Sequence, residues 1–172
     1  AMSRFSGAWV GMKAISEVVE SAATVDLDAL RTGFGDARRE PGLHYRGDDA
    51  PSLAIEARMA ARLDAVREFA RAHSIDRIVC APQQARLGIV TCGKAHLDLL
   101  EALRRIDVGL ADLERAGIRF YKVGLAYPIE PTRLLEFARG LDEALVVEEK
   151  GGVVEQQMQA LLSLSLIHIS EP

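Results

Sequence analysis

Gly88, Gly93 and Lys94 have the spacing of a phosphate-binding P-loop, G-x-x-x-x-G-K. In that motif an open run of backbone N–H groups binds phosphate, and a Ser or Thr directly after the lysine ligates magnesium. Here the four residues between the glycines are typical of a strand, and Ala95 occupies the position of the magnesium ligand. We therefore expect no nucleotide hydrolysis at this motif.

Lys94 and His96 are the next candidates for chemistry. Lys94 follows a predicted strand and lies in the first turn of a predicted helix, where free N–H groups favour an anion. A small anion- or nucleotide-binding protein that uses Cys92–Lys94 is therefore one alternative, beside the simpler interpretation of an exposed lysine. No Asp or Cys is spaced to form a catalytic triad with His96, so this histidine is predicted to be exposed on the polar side of its helix.

Glu148 and Glu149 are adjacent carboxylates at the end of an apolar run, and Lys150 follows them. Paired carboxylates can perform acid–base catalysis where burial separates their pKa values. Neighbouring residues of a strand point to opposite faces, however, so these two side chains do not readily share a proton. We expect one carboxylate to pair with Lys150 or an arginine and the other to face an interface. No catalytic residue is predicted in this chain.

Three apolar runs must position these residues. The first lies within Arg86–Lys94, which is predicted to be a strand that turns directly into a helix, and its apolar or β-branched residues run up to Gly93. The other two are Ile118–Val123 and Ala144–Val147. Short apolar runs followed by glycine or charged residues are typical of buried parallel strands. In an open parallel sheet, ligands and partners gather where strands end and helices begin. No metal-binding residue is predicted. The predicted ligand or interface positions are Cys92, Gly93, Lys94, Gly124, Tyr127, Glu148, Glu149 and Lys150.

The remaining patterns predict one further strand and five helices. The strand is Ile75–Cys80, and Pro131 and Gly117 are well placed to begin one helix and end another. This alternation predicts an α/β fold, a three-layer sandwich with a mainly parallel sheet. Helical periodicity places the helices at Ser52–Ser74, Lys94–Asp107, Leu110–Ala116, Thr132–Arg139 and Val153–Leu162.

A separate helix is predicted at Ser6–Ala23, with Ser6 as its N-cap and a broad apolar face. Gly7 and Gly11 on this helix would let another backbone approach closely. Nothing nearby in the sequence buries the face, so residues 1–23 are predicted to end an upstream domain. Residues 24–51 lack periodicity and collect glycine and proline, which indicates a linker. A free-standing interaction module that binds its partner through this helix is a second alternative.

Composition excludes several classes of protein. The 172 residues carry a formal net charge of −4 without a concentrated basic face, so no nucleic-acid partner is expected. Cys80 and Cys92 lack Cys-x-x-Cys spacing, which excludes a self-contained iron–sulfur or zinc site built from thiolate clusters. No stretch has the length of a membrane span or the apolar core of a signal peptide. Together with reduced cysteines, this predicts a cytoplasmic protein without a membrane partner.

Several stretches, taken in order, resemble one known family. They are Ser3–Lys13 (SRFSGAWVGMK) with Glu17–Ser21 (EVVES), Arg86–Lys94 (RLGIVTCGK), Gly117–Gly124 (GIRFYKVG) with Tyr127 and Pro128, and Val146–Lys150 (VVEEK). These segments are similar to indolepyruvate ferredoxin oxidoreductase, a thiamine-diphosphate-dependent 2-oxoacid oxidoreductase. The resemblance extends over residues 2–162.

This resemblance implies a domain organisation. Residues 1–23 would be the end of the pyrimidine-binding thiamine domain, and residues 52–162 would be a transketolase C-terminal-like domain. The linker at residues 24–51 is where the sequence departs most from the family pattern. Residues 163–172 (SLSLIHISEP) resemble translated sequencing-adapter DNA instead, so this tail is predicted to be non-native and poorly packed.

The resemblance also implies a reaction, the oxidative decarboxylation of indolepyruvate and other arylpyruvates to acyl-CoA, with electrons leaving through 4Fe-4S clusters to ferredoxin. The family's activating glutamate, its domain for diphosphate and magnesium, and its cluster cysteines would all lie outside Ala1–Pro172. This chain is therefore expected to bind none of thiamine diphosphate, magnesium, 4Fe-4S clusters and CoA. It is expected to be inactive alone and to contact the missing domains or subunits of its parent enzyme.

Overall fold

The computed structural model describes residues 1–28, 42–44, 46–47 and 53–167, with side chains described up to residue 163. The chain divides into two compact units, Ala1–His73 (the N-terminal unit) and Ser74–Pro172 (the C-terminal unit). Most of the predicted linker and the last five residues of the predicted tail lie outside the described residues. The assignment of residue ranges to domains of a parent enzyme stays a prediction.

The N-terminal unit begins with two short helices where the sequence predicts a single long one. Helix α1 spans Met2–Ser6, and helix α2 is the single turn Ser16–Val19. Gly7 ends α1 with φ +71°, and a Cβ atom there would lie 2.6 Å from the carbonyl oxygen of Leu43. The prediction of one helix over Ser6–Ala23 is therefore wrong, whereas Gly7 does allow the close backbone approach that was expected of it.

The apolar side chains after α1 account for this difference. Trp9 is fully exposed and Met12 is 91% exposed, so the described part of the unit offers this segment no surface on which to bury a helical face. A helix of this length is marginal in water without such burial, and glycine and β-branched residues weaken it further. Only α1 packs closely, with the ring of Phe5 centred 5.6 Å from that of Phe69.

Helix α3, Ala54–Ala72, confirms the long helix predicted at Ser52–Ser74. Leu53 and Met59, which the periodicity places on the apolar side, are more than half exposed. The helix is therefore correctly predicted, but less of its apolar side is covered than the pattern suggests. Its buried residues all lie in the C-terminal half and are Ala65, Val66, Phe69 and Ala70.

The C-terminal unit is an α/β sandwich around one four-stranded sheet. The strand order is β1-β3-β2-β4, in which β3 and β4 run parallel to β2 while β1 runs antiparallel to β3. The predicted order of elements and the predicted mainly parallel sheet are thus confirmed. In sequence, the elements are β1 (Arg77–Cys80), β2 (Leu87–Cys92), α4 (Lys94–Arg105), α5 (Leu110–Arg115), β3 (Ile118–Val123), α6 (Pro131–Ala138), β4 (Glu143–Val147) and α7 (Val153–Ile167).

Apolar side chains on the two faces of the sheet form separate cores, which makes the unit three-layered. Helices α6 and α7 cover one face, where the ring of Phe137 is centred 5.1 Å from that of Tyr121. Helices α4 and α5 cover the other face, where Leu113 packs with Phe120 and Cys80. Phe120 and Tyr121 are both fully buried although they are neighbours in β3, because successive residues of a strand point to opposite faces.

Gly88, the second residue of β2, is required by the packing of α6 on the sheet. A Cβ atom at this position would lie 2.7 Å from the ring of Phe137 and would also press on Leu141. The residues that follow Gly88 continue the strand as far as Cys92. The P-loop-like motif is therefore strand and not an open phosphate-binding loop, as predicted.

Local signals set several helix ends in this unit. Pro131 is the first residue of α6, as predicted, and the carboxylate of the preceding Glu130 accepts hydrogen bonds from the N–H groups of Thr132 and Arg133. Gly117 follows α5 with φ +68°, the left-handed conformation that commonly ends helices. None of the described helices is both long enough and apolar enough to span a membrane.

Candidate functional site

The carboxyl ends of β2, β3 and β4 lie side by side, which brings the predicted site positions to one edge of the sheet. Cys92 at the end of β2 pairs with Val123 at the end of β3, and Thr91 pairs with Val147 at the end of β4. The loops that start at these strand ends are therefore neighbours. Together they form what we call the carboxyl edge: Cys92–Lys94, Gly124–Tyr127 and Glu148–Lys150.

Cys92 is half-buried and packs against the core beneath α6 and α7. Burial raises the pKa of its thiol, and the carboxylates of Glu148 and Asp76 raise this pKa further. A cysteine nucleophile or metal ligand acts as the thiolate, which these surroundings disfavour. The Cys92 thiol is therefore suited to packing and not to nucleophilic catalysis.

Gly93 and Lys94 form the start of α4. Gly93 has φ +59° and ψ −135°, which is strained for any residue with a Cβ atom, although no neighbouring atom lies within 4 Å of that position. The Lys94 ammonium donates hydrogen bonds of 2.7 Å and 2.6 Å to the two carboxylate oxygens of Asp98, one turn along the helix. Asp98 thus balances the positive charge that an anion site at Cys92–Lys94 would need. The structure therefore does not support the alternative of a small anion- or nucleotide-binding protein.

Asp76, directly before β1, is a buried carboxylate that sequence reasoning missed. It is 2% exposed, and its Oδ1 accepts hydrogen bonds from the backbone N–H groups of Gly124 (2.7 Å) and Leu125 (3.0 Å). Its Oδ2 accepts a hydrogen bond of 3.0 Å from the Tyr121 hydroxyl. Burial raises the pKa of the Asp76 carboxyl, while these three hydrogen bonds act in the opposite direction. Asp76 therefore anchors the start of the loop between β3 and α6.

Two more polar side chains hold the rest of the loop between β3 and α6. Gln157 of α7 accepts a hydrogen bond from the Ile129 N–H (2.9 Å) and donates one to the Ala126 carbonyl (2.9 Å). Glu130, 1% exposed, closes the loop by capping α6. Tyr127 lies between these attachments and is 66% exposed. The loop therefore presents Tyr127 to solvent from a backbone that is fixed on both sides.

Gly124, the first residue of this loop, is fixed by packing as well as by Asp76. A Cβ atom at this position would collide with the carbonyl oxygen of Ile75 and lie 2.9 Å from a carbon of its side chain. Its φ is not in the left-handed region, so the requirement for glycine here is one of space. Gly124 therefore has a packing role at the carboxyl edge.

Glu148 and Glu149 directly follow β4 and lie in different surroundings. The two carboxylate oxygens of Glu148 accept hydrogen bonds of 3.0 Å from the N–H groups of Val154 and Glu155, in the first turn of α7. These N–H groups have no partner within the helix, and the helix dipole favours a carboxylate beside them. The expected pairing with Lys150 or an arginine is wrong for Glu148, whose partners are backbone amides. Glu149 and Lys150 are exposed.

His96 is buried, so its predicted exposure on the polar side of α4 is wrong. It is 8% exposed, its Nδ1 lies 2.9 Å from the Thr91 hydroxyl oxygen, and its ring is centred 5.3 Å from that of Phe120. Burial lowers the pKa of the imidazole, and the cations Lys122 and Arg77 lower it further. His96 is therefore held neutral inside the layer between β2 and α4.

The donor side chains of the described residues are not arranged to hold the iron–sulfur clusters or the metal ion that the family resemblance implies. Cys80 and Cys92 pack on opposite faces of the sheet, so they do not ligate one iron–sulfur cluster. In the described parts of the chain, no three His, Cys, Asp or Glu side chains are grouped so that they could hold a metal ion. Asp76, Glu130 and Glu148 are each bound to backbone N–H groups. No reaction step is therefore assigned to these residues.

Comparison with known proteins identifies the family. The model of the indolepyruvate oxidoreductase domain matches residues 77–163, just over half of the chain. Indolepyruvate oxidoreductase subunit IorA of Methanothermobacter marburgensis is 24% identical over 112 residues, which cover 65% of this chain and 17% of that subunit. This chain therefore corresponds to a small part of the curated relative it matches, and no solved structure matches it. The family resemblance of the sequence is thus confirmed, and the chain belongs to the indolepyruvate oxidoreductase domain family.

Proposed function

We propose that this chain is a non-catalytic module of a thiamine-diphosphate-dependent oxidoreductase that decarboxylates indolepyruvate or a related arylpyruvate. In this proposal the C-terminal unit positions other domains or subunits of the enzyme. The observation that carries it is what three carboxylates in and beside the carboxyl edge bind, of which Asp76 and Glu130 are buried and Glu148 is partly buried. Asp76, Glu130 and Glu148 all bind the protein's own backbone amides, as a scaffold requires.

The side chains at or near this edge that could perform acid–base or nucleophilic chemistry are Cys92, Lys94 and His96, and each is held in a non-reactive state or by another side chain. The Cys92 thiol is kept protonated by burial and by nearby carboxylates, and the Lys94 ammonium is held by Asp98. His96 donates to or accepts from Thr91 inside the packed layer. A catalytic group must reach the substrate in a suitable protonation state, and these three side chains do not combine both properties.

Tyr127 supports the second half of the proposal, a docking role. Its side chain is largely exposed, yet the loop that carries it is bound by Asp76, by Gln157 and by the Glu130 cap. A loop whose backbone is already fixed loses little conformational freedom on binding, and tyrosine is enriched among the residues that dominate interface energies. The partner is proposed to be another part of the same oxidoreductase.

The matched relative supports this choice of partner. IorA is by name a subunit of an indolepyruvate oxidoreductase, and only 17% of its length corresponds to the present chain. We propose that the remaining parts of the enzyme bind thiamine diphosphate, magnesium, 4Fe-4S clusters and CoA. Electron transfer to ferredoxin and a cytoplasmic location belong to the same proposal.

A turnover assay tests the proposal. The purified chain is supplied with indolepyruvate, thiamine diphosphate, Mg²⁺, CoA and an artificial electron acceptor, and the complete oxidoreductase that contains this sequence is assayed beside it. We expect substrate-dependent reduction of the acceptor by the complete enzyme and none by the chain. Turnover by the chain, in proportion to its concentration, would overturn the non-catalytic assignment.

A further inference from the structure

Two positively charged side chains, Arg77 and Lys122, lie opposite each other at the carboxyl end of the sheet. Arg77 of β1 is the register partner of Lys122 in β3, and Lys122 is in turn the register partner of Thr91 in β2. Directly opposite residues of antiparallel strands have Cβ atoms about 5 Å apart, and like charges in such a pair are destabilising. We call Arg77 and Lys122 the cationic pair. Its repulsion lowers the stability of the isolated chain.

The cationic pair faces the layer of α4 and α5. Phe120, two residues before Lys122, is buried in the core between the sheet and these helices, and residues two apart in a strand share a face. His96 of α4 lies close to the pair, because after burial the charges of Lys122 and then Arg77 are the causes that lower the pKa of its imidazole. A neutral imidazole does not compensate the two charges.

The described residues provide no carboxylate for the cationic pair either. In the part of the chain that the structure describes, neither Arg77 nor Lys122 forms an ion pair or a hydrogen bond through its side chain. Asp76, Asp98 and Glu148, three carboxylates at this end of the sheet, are held by other donors. Because Arg77 is exposed and Lys122 is partly exposed, their uncompensated positive charge is accessible from outside.

The cationic pair is continuous with the docking surface proposed around Tyr127. Arg77 directly follows Asp76, whose carboxylate binds the N–H group of Gly124 at the start of the loop that carries Tyr127. Lys122 lies two residues before Gly124. A partner seated on Tyr127 therefore also lies beside the two cations.

We propose that an acidic segment of another domain or subunit of the oxidoreductase docks on the carboxyl edge and places a carboxylate between Arg77 and Lys122. The proposal rests on the proposed function, from which it takes the docking partner, and it names the chemistry of that partner. A carboxylate between the two cations replaces one repulsion with two charge-assisted attractions. Complementary charge across an interface also fixes its register and excludes partners of the wrong charge. The like-charge pair, unfavourable in the isolated chain, is thus favourable in the assembly.

Zero-length crosslinking provides the test. A water-soluble carbodiimide joins a lysine amine to a carboxylate in direct contact with it through an amide bond, and mass spectrometry of the peptides identifies both residues. In the complete oxidoreductase that contains this sequence, we expect a crosslink from Lys122 to an Asp or Glu of another domain or subunit. Lys122→Arg should abolish that crosslink. Absence of the crosslink from the native enzyme, or a crosslink from Lys122 to a carboxylate of this chain, would overturn the proposal.

Substitution of Lys122 should have opposite effects on the isolated chain and on the complete enzyme. Lys122→Gln removes the repulsion from Arg77, so the urea midpoint of the isolated chain should rise. In the complete enzyme the same variant should raise the dissociation constant about tenfold and weaken its dependence on NaCl concentration, whereas Lys122→Arg should stay within about twofold of the native enzyme. Unchanged association of the Lys122→Gln enzyme would overturn the proposal.

The matched control is Arg139→Gln. Arg139 is an exposed cation that follows α6 where the chain turns toward β4. Its substitution removes the same charge from the chain and should change neither the dissociation constant nor its dependence on NaCl concentration. An effect on association equal to that of Lys122→Gln would contradict the assignment to the cationic pair, because it would show that only net charge matters.

A small phosphate-bearing ligand is the competing occupant, and it has its own outcome. Inorganic phosphate is added to the purified chain at constant ionic strength, and we expect the urea midpoint to stay unchanged. A rise in the midpoint that Lys122→Gln abolishes would assign the cationic pair to a phosphate ligand and overturn docking of an acidic segment. Failure of the proposed function is recognised separately, because it appears as turnover by the isolated chain whatever the crosslinks of Lys122.

Discussion

The hydroxyl group of Tyr121 in β3 donates a hydrogen bond of 3.0 Å to the carboxylate of Asp76, 45 residues earlier in the chain. The same carboxylate binds the N–H groups of Gly124 and Leu125. One buried side chain therefore fixes both the core tyrosine and the loop that follows its strand. Burial and Asp76 raise the pKa of the Tyr121 hydroxyl, which favours its protonated, donating form.

Replacing Asp76 tests this anchor. Asp76→Ala should lower the free energy of unfolding by about 2–4 kcal/mol, because one buried and two partly buried donors lose their acceptor. Asp76→Asn should cost about 1 kcal/mol, because its oxygen can still serve the two backbone amides. Urea unfolding monitored by circular dichroism measures both. A loss below about 0.5 kcal/mol for Asp76→Ala would contradict the role of Asp76 as an anchor.

His96 should make stability depend on pH. Its folded-state pKa lies below the ordinary value of 6.5, so the unfolded chain binds a proton more readily than the folded chain. The free energy of unfolding is therefore expected to fall as pH decreases from 6.5 toward the folded pKa. Unfolding midpoints measured across this window should decrease in the native chain and much less in His96→Gln. Leu97→Gln, at the exposed neighbouring position of α4, is the control and should keep the native pH dependence.

Substitution of Gly124 should lower stability more than substitution of a glycine with free space around it. Gly124→Ala is expected to cost about 1–3 kcal/mol, because its Cβ collides with the backbone of Ile75. Gly151→Ala is the matched control; no atom lies within 4 Å of its Cβ, and it should change stability by less than about 0.5 kcal/mol. Similar unfolding midpoints for the two variants in urea would refute the packing role of Gly124.

Alanine substitutions of Glu148 and Glu149 should differ in their effect on stability, although the two residues are neighbours with the same side chain. Glu148→Ala should cost about 1 kcal/mol, because two N–H groups of α7 lose their acceptor. Glu149→Ala at the exposed position should stay within about 0.5 kcal/mol of the native chain. Thermal unfolding of the two variants provides the comparison. A larger loss of stability for Glu149→Ala than for Glu148→Ala would contradict the assignment of Glu148 as the cap of α7.

Tyr127 should contribute to association in the assembled enzyme and not to the stability of the isolated chain. Tyr127→Ala is expected to leave the unfolding of the chain unchanged within about 0.5 kcal/mol, because the side chain is largely exposed. In the complete oxidoreductase it should weaken association by about tenfold, as loss of an interface aromatic does. Subunit dissociation measured by dilution and light scattering reports this change. Ile106→Ala, an exposed residue after α4, is the control and should leave association unaffected.

The positions of the strand ends could be predicted because they depend on local signals. Apolar runs followed by glycine or charge mark β2, β3 and β4, and parallel strands place their carboxyl ends at one edge. The pairing of Cys92 with Val123 confirms that geometry. The Glu130 cap also had a local signal, because an acidic residue precedes a proline that begins a helix.

The anchors of the loop carry no such signal. Asp76 binds Gly124 across 48 residues, and Gln157 binds Ile129 across 28, so neither contact is visible before the sheet order is known. The antiparallel direction of β1 is what brings Asp76 to the ends of the parallel strands. A carboxylate before an apolar run does not by itself indicate this role.

Two predictions from helical periodicity, the exposure of His96 and the helix at Ser6–Ala23, are wrong for the same reason. Both assumed which surface a helical face would meet. Helical periodicity assigned His96 to a solvent-facing side, but in the first turn of α4 this residue lies against Thr91 of β2. The same reasoning gave Ser6–Ala23 an apolar face, but Trp9 has nothing to pack against among the described residues. Periodicity indicates which side chains share a face and does not indicate which surface that face meets.

The antiparallel β1 also has a practical consequence for where this domain should be cut. The family match begins at residue 77, immediately after Asp76. A recombinant piece limited to residues 77–163 would keep every strand of the sheet but would lose the acceptor for Gly124 and Leu125. It would also lose Ser74, whose hydroxyl accepts a hydrogen bond of 2.8 Å from Arg133. An excised domain that starts at Ser74 keeps both attachments.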